Sequence, residues 1–189
     1  MVYTDEINDI CKLLDEGKVI VCPTDTIWGL SCSVFAETAT RRIYEIKNRE
    51  IGKPFILLVA DLDMLLKYVE HMHPRIETLL SHHSKPLTII HSNPKSIPRY
   101  ALATDGSIGI RIVQDEYCQQ IIRQLGAPLV STSANFSGSP SPGNFSEIES
   151  RLIEEVDYVA QYKRNEEQLF TPSVIIKYDE EGQIEIIRP

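Results

Sequence analysis

Three cationic side chains lie within seven residues of one another, a spacing that could bind a phosphate group. Lys47 and Arg49 stand at the end of a predicted helix, and Lys53 precedes a continuously apolar segment. An arginine offers a planar fork of donors and a lysine offers a point charge, a combination that suits phosphate oxygens. The same residues are typical of a helix C-terminus, where the helix dipole favours cations. Both interpretations stay open from this segment alone.

A short polar segment follows the apolar run at residues 19–22. Pro23 ends that run because it lacks an N–H group and has a fixed φ angle. Thr24, Asp25 and Thr26 come next, and open α/β sheets bind their ligands where strands end. The segment is therefore either a ligand-binding loop or an ordinary polar turn.

A second polar loop covers residues 131–142. Its hydroxyl and amide side chains follow a short apolar run, and glycine and proline residues constrain its shape. Such a loop can present hydroxyl and backbone N–H groups to a phosphate or an adenine without a P-loop. A flexible connector has a similar composition. The polar side chains of this loop are those of Ser131, Thr132, Ser133, Asn135, Ser137, Ser139 and Ser141.

Arg111 lies inside the alternating segment 107–113, which predicts a strand. Its side chain is expected to share a face with Ser107 and Gly109, opposite Ile110 and Ile112. A buried cation needs a partner. That partner is either a carboxylate of this protein or one carried by a ligand.

Several common catalytic motifs are missing from the sequence. It contains neither a Walker motif nor a G-x-G-x-x-G fingerprint, and it has no G-x-S-x-G elbow. No residue is singled out as a general base. Catalysis would therefore depend on positioning and charge neutralisation rather than on a covalent nucleophile.

Composition narrows the class of protein. The 189 residues suit one domain or one large α/β domain with an appendage, and we take 1–189 as a single domain. No apolar run approaches the ~20 residues of a membrane helix. The acidic first ten residues show no secretory signal, and the four cysteines show no C-x-x-C pair, so we expect a cytoplasmic protein with reduced thiols. The net charge of −8 argues against an obligate nucleic-acid binder, and the five histidines lack metal-site spacing.

Helical and strand patterns alternate along the chain, which predicts an α/β fold with a mixed twisted sheet. Residues 92–105 show no period and are predicted to form a loop or lid. Helices are predicted at 5–16 (capped by Thr4), 37–47, after Asp61, after Pro74, at 115–126 and at 145–155. Strands are predicted at 19–22, 55–60, 87–90, 107–113, 129–131, 156–160, 173–178 and 184–187.

An ordered series of segments resembles the YrdC/Sua5 family of L-threonylcarbamoyladenylate synthases. Each segment alone is weak evidence for the family, but the segments in this order are a specific match. Together they span nearly the whole chain. The resemblance is to the short, single-domain type. The segments are PTDTIWGL at 23–30, IYEIKNREIGKPFILL at 43–58, KPLTII at 85–90, SIGIRI at 107–112, APLVSTSANFSGSPSP at 127–142, TPSVII at 171–176 and the final IIRP.

The resemblance implies a twisted α/β sheet with flanking helices around a large open cleft, the YrdC/RibB-like fold. It implies a nucleotidyltransferase that converts L-threonine, bicarbonate and ATP into threonylcarbamoyl-AMP and diphosphate, for t6A modification of tRNA. A separate threonylcarbamoyl-transferase complex would act downstream, and a weak contact with tRNA would be compatible with this role. Mg²⁺ would be carried by ATP and water rather than by protein ligands.

The resemblance also implies roles for individual residues. Lys47 and Arg49 are expected to be catalytic and, with Lys53, to meet the ATP phosphates. Thr26 and Arg111 would hold the threonine, with Ser131 and Ser173 nearby. The remaining ATP-binding positions would be Ser107, Ser133, Asn135, Ser141 and Arg188.

This sequence departs from the family pattern around the threonine pocket and the phosphate site. Glu50 stands where a proline is common, and Leu58 where some members have a histidine. Lys85 replaces a glycine, and residues 171–173 replace a Glu-Ser-Thr pattern. Two other functions are also considered: a non-catalytic RNA-binding or ribosome-assembly factor with the same basic cleft, and a different enzyme on a similar fold.

Overall fold

The computed structural model describes residues 6–50 and 52–189, and the described residues form a nine-stranded sheet. The predicted start of the first helix at Thr4 lies outside this part of the chain. The strands are β1 (Ile20–Cys22), β2 (Gly29–Ser33), β3 (Ile56–Val59), β4 (Leu87–His91), β5 (Ile108–Ile112), β6 (Leu129–Ser133), β7 (Tyr158–Val159), β8 (Val174–Tyr178) and β9 (Ile184–Arg188). The helices are α1 (Ile7–Asp15), α2 (Glu37–Ile46), α3 (Leu62–Leu66), α4 (Pro74–His82), α5 (Glu116–Leu125) and α6 (Ser150–Glu154).

The sheet is mixed, as predicted. Its strand order is β7-β1-β2-β6-β3-β5-β4-β8-β9. The β3–β5, β4–β8 and β1–β7 pairs are parallel, whereas the other neighbouring strands are antiparallel. The strands that carry the predicted site residues are β6, β5 and β9; in this order β3 lies between β6 and β5, and β4 and β8 lie between β5 and β9.

Helices α3 and α5 begin where the sequence signals predict, and α5 also ends there. The Asp115 side chain accepts a hydrogen bond from the Cys118 N–H at 3.0 Å and so caps α5. Gly126 ends that helix with φ of 69°, a conformation that costs glycine little. Asp61 caps α3 in the same way through the Met64 N–H. These local caps fix the helix ends against the sheet.

The two faces of the sheet differ in what covers them. One face carries buried aliphatic residues such as Leu57, Ile89 and Ile110, which belong to the hydrophobic clusters of the protein. The alternate positions of the same strands, including Thr88, Gly109 and Arg111, line a cavity instead. Because side chains alternate along a strand, this second face presents its polar residues together.

The strand β2 was not predicted from the sequence, because the segment GLSCS is rich in small residues with low strand propensity. It pairs with β1 as an antiparallel hairpin and with β6 on its other side. A Cβ atom at Gly29 would lie 2.8 Å from the Ser131 Oγ atom. Glycine therefore permits the close approach of β2 and β6.

The single helix predicted at 145–155 was wrong. The chain instead forms a 3₁₀ turn over Phe145–Glu147 and then the short helix α6. Between them Ile148 is extended, with ψ of 127°, and is buried in the core. The strand predicted at 156–160 is shorter than expected, whereas the strand predicted at 129–131 continues to Ser133.

The predicted loop at 92–105 contains a 3₁₀ turn over Arg99–Ala101. The Tyr100 hydroxyl group donates to the Val34 carbonyl at 3.0 Å, and Ala101 is buried. Within the described residues, no helix has the length and apolar character required to span a bilayer. All four cysteines are buried and free of disulfides.

Candidate functional site

A cavity of about 240 Å³ opens on the polar face of the sheet. It is formed by residues from β2, β3, β4, β5, β6, β8 and β9 and by the loops at the ends of these elements. Among its described lining residues there are three arginines and no carboxylates. The predicted site residues that line it are Thr26, Arg49, Arg111, Ser131, Ser133, Ser141, Ser173 and Arg188.

Arg111 lies in the floor of this cavity and is almost fully buried. Its Nη1 atom donates to the Thr26 Oγ1 atom at 2.7 Å, and its Nη2 atom lies 3.5 Å from the Asp25 Oδ1 atom. Burial lowers the pKa of Arg111, and the negative charge of Asp25 opposes that effect. The partner predicted for this buried cation is therefore a carboxylate of the protein itself.

The loop between β1 and β2 is fixed by its own hydroxyl groups. The Thr24 and Thr26 Oγ1 atoms are 2.9 Å apart, and the Thr26 N–H donates to the Thr24 Oγ1 atom at 3.0 Å. The Asp25 carboxylate accepts from the Gln114 N–H at 3.2 Å, just after β5. This loop holds both partners of Arg111 and so orients its guanidinium group in the cavity.

A second guanidinium group enters the cavity from β9. The Nε and Nη2 atoms of Arg188 donate to the Ser173 carbonyl at 3.1 and 2.7 Å. The Ser173 hydroxyl group lies 2.8 Å from the Thr88 hydroxyl group on β4. Burial lowers the pKa of Arg188, and the positive charge of Arg111 lowers it further. Each of these two positive charges destabilises the other, so an anion bound between them would stabilise both.

Arg49 is the third arginine of the cavity. Its Nη2 atom donates to the Pro54 carbonyl at 3.0 Å, and its guanidinium group lies 5.7 Å from the centre of the Phe55 ring. Burial lowers the pKa of Arg49. Its Nε atom is buried, and no described residue provides a hydrogen-bond partner for it. Arg49 therefore retains donor capacity for a ligand.

Lys47 lies behind the cavity wall rather than among its lining residues. It is 1% exposed, and its Nζ atom donates to the carbonyls of Ser133 and Asn135 at 2.6 Å each and to the Asn135 Oδ1 atom at 3.1 Å. Burial lowers the pKa of Lys47 to about 7, with a further contribution from the charge of Arg49. Three acceptors use all three ammonium protons, so this arrangement favours the charged form. In this structure Lys47 supports the end of β6 at Ser133 and the start of the following loop at Asn135.

Three other predicted residues also lie outside the cavity lining. Lys53 is exposed and pairs with Glu50 at 3.0 Å. The Ser107 hydroxyl group donates to the Asp105 carboxylate at 2.7 Å. Asn135 accepts from the Ser133 hydroxyl group and donates to the Ser139 carbonyl. Their contacts with a nucleotide remain predictions.

Sequence reasoning did not assign roles to some residues of the site. Asp25 positions Arg111, and Thr88 and Gly109 line the floor beside it. A Cβ atom at Gly109 would lie 3.0 Å from the Thr88 Cγ2 atom, so glycine also permits close packing here. The alternation of strand β5 indicates the face of Gly109, but no local pattern indicates that Thr88 stands beside it. No group of three potential metal ligands occurs among the described residues.

Sequence comparison identifies relatives of this chain. The family model Sua5_yciO_yrdC, described as "Telomere recombination", matches residues 12–189. A protein of Methanocaldococcus jannaschii, provisionally named threonylcarbamoyl-AMP synthase, is 36% identical over 176 residues, which are 93% of this chain and 81% of that protein. The threonylcarbamoyl-AMP synthase of Escherichia coli is 31% identical over 151 residues, which are 78% of this chain and 80% of that enzyme.

Solved structures share the architecture. Sua5 of P. abyssi, crystallised with L-threonine, superposes with a TM-score of 0.84 at 24% identity over 97% of this chain. This chain spans about half of that longer protein, covering 53% of it. YciO of E. coli superposes with a TM-score of 0.83 at 27% identity, over 96% of this chain and 87% of YciO. The chain, with its mixed sheet and arginine-lined cavity, therefore belongs to the Sua5/YciO/YrdC family.

Proposed function

We propose that this protein is a threonylcarbamoyl-AMP synthase, which makes threonylcarbamoyl-AMP and diphosphate from L-threonine, bicarbonate and ATP. Relatives that carry this name are 36% and 31% identical to it over most of the chain. The observation that carries the proposal is the convergence of Arg49, Arg111 and Arg188 on one cavity lined by hydroxyl groups. The product would serve t6A modification of tRNA.

The reaction explains why such a cavity is needed. The threonine amine first adds to bicarbonate-derived carbon to form a carbamate, with loss of water. A carbamate oxygen then attacks the α-phosphorus of ATP, a new P–O bond forms, and diphosphate leaves with the electrons of the broken P–O bond. Two anions must approach each other during this step. A site with three guanidinium groups reduces their repulsion although the whole chain has a net charge of −8.

The geometry supports a division of the cavity between the two substrates. The guanidinium group of Arg111 suits the threonine carboxylate, because it is buried and held by Asp25 and Thr26. Ser131 and Ser173 line the same cavity. The nucleotide would lie toward Arg49, Lys53, Ser107, Ser133, Asn135, Ser141 and Arg188, and Lys47 would act on it directly or through the loop that it supports.

The cofactor and the partners follow from this chemistry. Mg²⁺ would enter with ATP, held by phosphate oxygens and water, because hard divalent cations prefer oxygen ligands. The product would pass to a threonylcarbamoyl-transferase complex, and tRNA would make at most a weak contact with this protein. We place the protein in the cytoplasm, where ATP and tRNA occur together.

The test is a reaction with L-threonine, ¹³C-bicarbonate and ATP–Mg²⁺. Mass spectrometry should detect threonylcarbamoyl-AMP carrying the label, and diphosphate should appear only when threonine is present. Arg111→Met should remove both products, whereas Arg41→Ala is the matched control, because Arg41 is exposed and pairs with Glu37 within α2. A protein that only binds RNA would form neither product, and that result would refute the proposal.

A further inference from the structure

A second and larger cavity, of about 720 Å³, lies at the carboxyl ends of the parallel strands β4 and β8. Its volume is in the range of ~300–1,000 Å³ that is usual for small-molecule sites. His91 ends β4 and Tyr178 ends β8, and both line this cavity. The loop before α4 and the β8–β9 turn complete its walls. Open α/β sheets commonly bind ligands at this position.

This cavity is separate from the arginine-lined one. Thr88 and Ile90 of β4 line the arginine cavity, whereas His91 points to the opposite face of the sheet, as do Leu87 and Ile89. No residue is common to the two linings within the described chain. A ligand in the second cavity would therefore leave the proposed substrate site unoccupied.

His91 contributes an acceptor without a partner. Its ring is 2% exposed, and its Nδ1 atom lies 3.2 Å from the Tyr178 hydroxyl oxygen, whose proton is directed to the His71 carbonyl at 3.4 Å. We assign the imidazole proton to Nδ1, because the Tyr178 hydroxyl group donates to the His71 carbonyl; this tautomer leaves a lone pair on Nε2. Nε2 has no hydrogen-bond partner among the described residues. Burial lowers the pKa of His91 to about 4, so the ring is neutral at neutral pH.

The charge of the cavity complements that acceptor. Three carboxylates line it, those of Asp179, Glu180 and Glu185, against the single ammonium group of Lys177. Hydrogen bonds from Ser107 lower the pKa of Asp105, and the charge of Lys177 adds to this effect, so Lys177 also interacts with a carboxylate outside the cavity. Neither Glu180 nor Glu185 forms an ion pair with another described residue. The cavity is therefore suited to a positively charged ligand.

The wall formed by the β8–β9 turn is held in place. Gly182 packs against the His73 ring so closely that an added Cβ atom would lie 2.5 Å from it. The Arg75 guanidinium group contacts the Gly182 carbonyl at 3.4 Å. Met72 lines the cavity too, and its flexible, unbranched side chain can adjust to a ligand. The site is thus largely preformed, with one adaptable side chain.

We propose that this second cavity, the His91 cavity, binds an organic ammonium ion, with an N–H group donating to His91 Nε2 and the positive charge facing Glu180 and Glu185. The ligand therefore needs both an N–H donor and a positive charge. A metal ion would need a cluster of ligands that the described residues lack, and an anion would be repelled by the carboxylates. The site does not depend on the synthase activity proposed above.

Spermidine is a suitable probe, because it carries several ammonium groups on a flexible chain. Nitrogen-15 NMR of the histidine side chains of the full-length protein, at physiological ionic strength, should show a saturable shift of the His91 Nε2 resonance on addition of spermidine. The variant Glu180→Gln/Glu185→Gln should weaken this binding about fivefold, the effect expected of two exposed ion pairs. Glu181→Gln is the matched control, since Glu181 is the neighbour of Glu180 but does not line the cavity.

A second variant tests the acceptor. His91→Phe keeps a ring but removes Nε2, and it should weaken spermidine binding, measured by calorimetry, about tenfold. Circular dichroism establishes whether this variant is folded; if it is not, the glutamate variants decide the question. The proposal is overturned if spermidine gives no saturable shift at millimolar concentration, or if Glu181→Gln weakens binding as much as the double variant does.

Discussion

At the scale of single residues, Lys47 and the three cavity arginines occupy two different environments that the sequence does not distinguish. Arg49, Arg111 and Arg188 line the cavity, whereas the ammonium group of Lys47 is enclosed by three acceptors. Arginine suits the first position because its fork can bind a backbone carbonyl and still present donors to a ligand. Lysine suits the second because three protons match three acceptors around one nitrogen.

We expect Arg111→Met to abolish activity and also to destabilise the protein. The loss of the guanidinium group removes transition-state stabilisation of about 2–4 kcal/mol. It also leaves the buried Asp25 carboxylate uncompensated, which costs about 3–5 kcal/mol of folding free energy. Diphosphate release and urea unfolding measure the two effects. The double variant Asp25→Asn/Arg111→Met should recover much of the stability but none of the activity; a double variant as unstable as the single one would contradict this account.

Lys47 and Arg49 should respond differently to substitution, although they are two residues apart. Arg49→Ala should lower kcat/KM for ATP by about a hundredfold, which is within the range for removal of one electrostatic contact, with little change in Tm. Lys47→Met leaves three buried acceptors near Ser133 and Asn135 without their donor, so its free energy of unfolding should fall by about 3 kcal/mol. Thermal unfolding by circular dichroism separates the two. Equal Tm values for Lys47→Met and the wild type would mean that Lys47 does not support the loop.

At the scale of the elements, two glycines make room at the site for side chains of neighbouring strands. Gly29 on β2 lies against Ser131 on β6, and Gly109 on β5 lies against Thr88 on β4. Each glycine leaves space on the polar face of the sheet for a hydroxyl-bearing side chain. The hairpin of β1 and β2 then places Thr24, Asp25 and Thr26 beside Arg111.

We expect Gly29→Ala to lower the free energy of unfolding by about 1–3 kcal/mol, because its Cβ atom would lie 2.8 Å from the Ser131 Oγ atom. The displaced Ser131 should also raise KM for threonine. Chemical denaturation and steady-state kinetics are the measurements. In the double variant Gly29→Ala/Ser131→Ala the clashing oxygen is absent, so part of the stability should return. If the two substitutions are strictly additive, the contact is not the cause.

At the scale of the whole molecule, one sheet carries two cavities of opposite charge. The polar face gathers three arginines, and the carboxyl ends of β4 and β8 carry three carboxylates around His91. A net charge of −8 therefore says little about either site, because local fields depend on which charges share a cavity. The buried neutral His91 also couples the stability of the whole protein to pH.

The stability of the protein should decrease in mild acid because of His91. Burial lowers the pKa of His91 from 6.5 to about 4, so the unfolded state binds the proton more readily than the folded state. The stabilisation is complete above pH 6.5 and is lost as the pH falls toward 4, by about 3 kcal/mol. Urea unfolding across this range should show a shallower pH dependence for His91→Phe than for the wild type. Identical slopes for the two proteins would show that another group is responsible.

The sequence by itself determined most of the elements and the chemistry that they carry. Caps such as Asp61, Asp115 and Gly126 placed helix ends correctly, since a cap acts on groups within a few residues of itself. The ordered motifs indicated the family, and alternation in β5 indicated the face of Arg111. Strand β2 was not predicted, because its pairing with β6 overrides a weak local strand preference. The interruption of the helix after Phe145 was not predicted either, because it depends on the burial of Ile148.

Only the tertiary structure decided which charged groups meet. It paired Arg111 with Asp25, enclosed Lys47 behind the cavity wall, and left the His91 Nε2 atom without a partner among the described residues. Burial and neighbouring charges set these outcomes, and both depend on segments that are distant in the chain and close together in the fold. The sequence determines which functional group each residue carries, whereas the packing of the sheet determines what that group can bind.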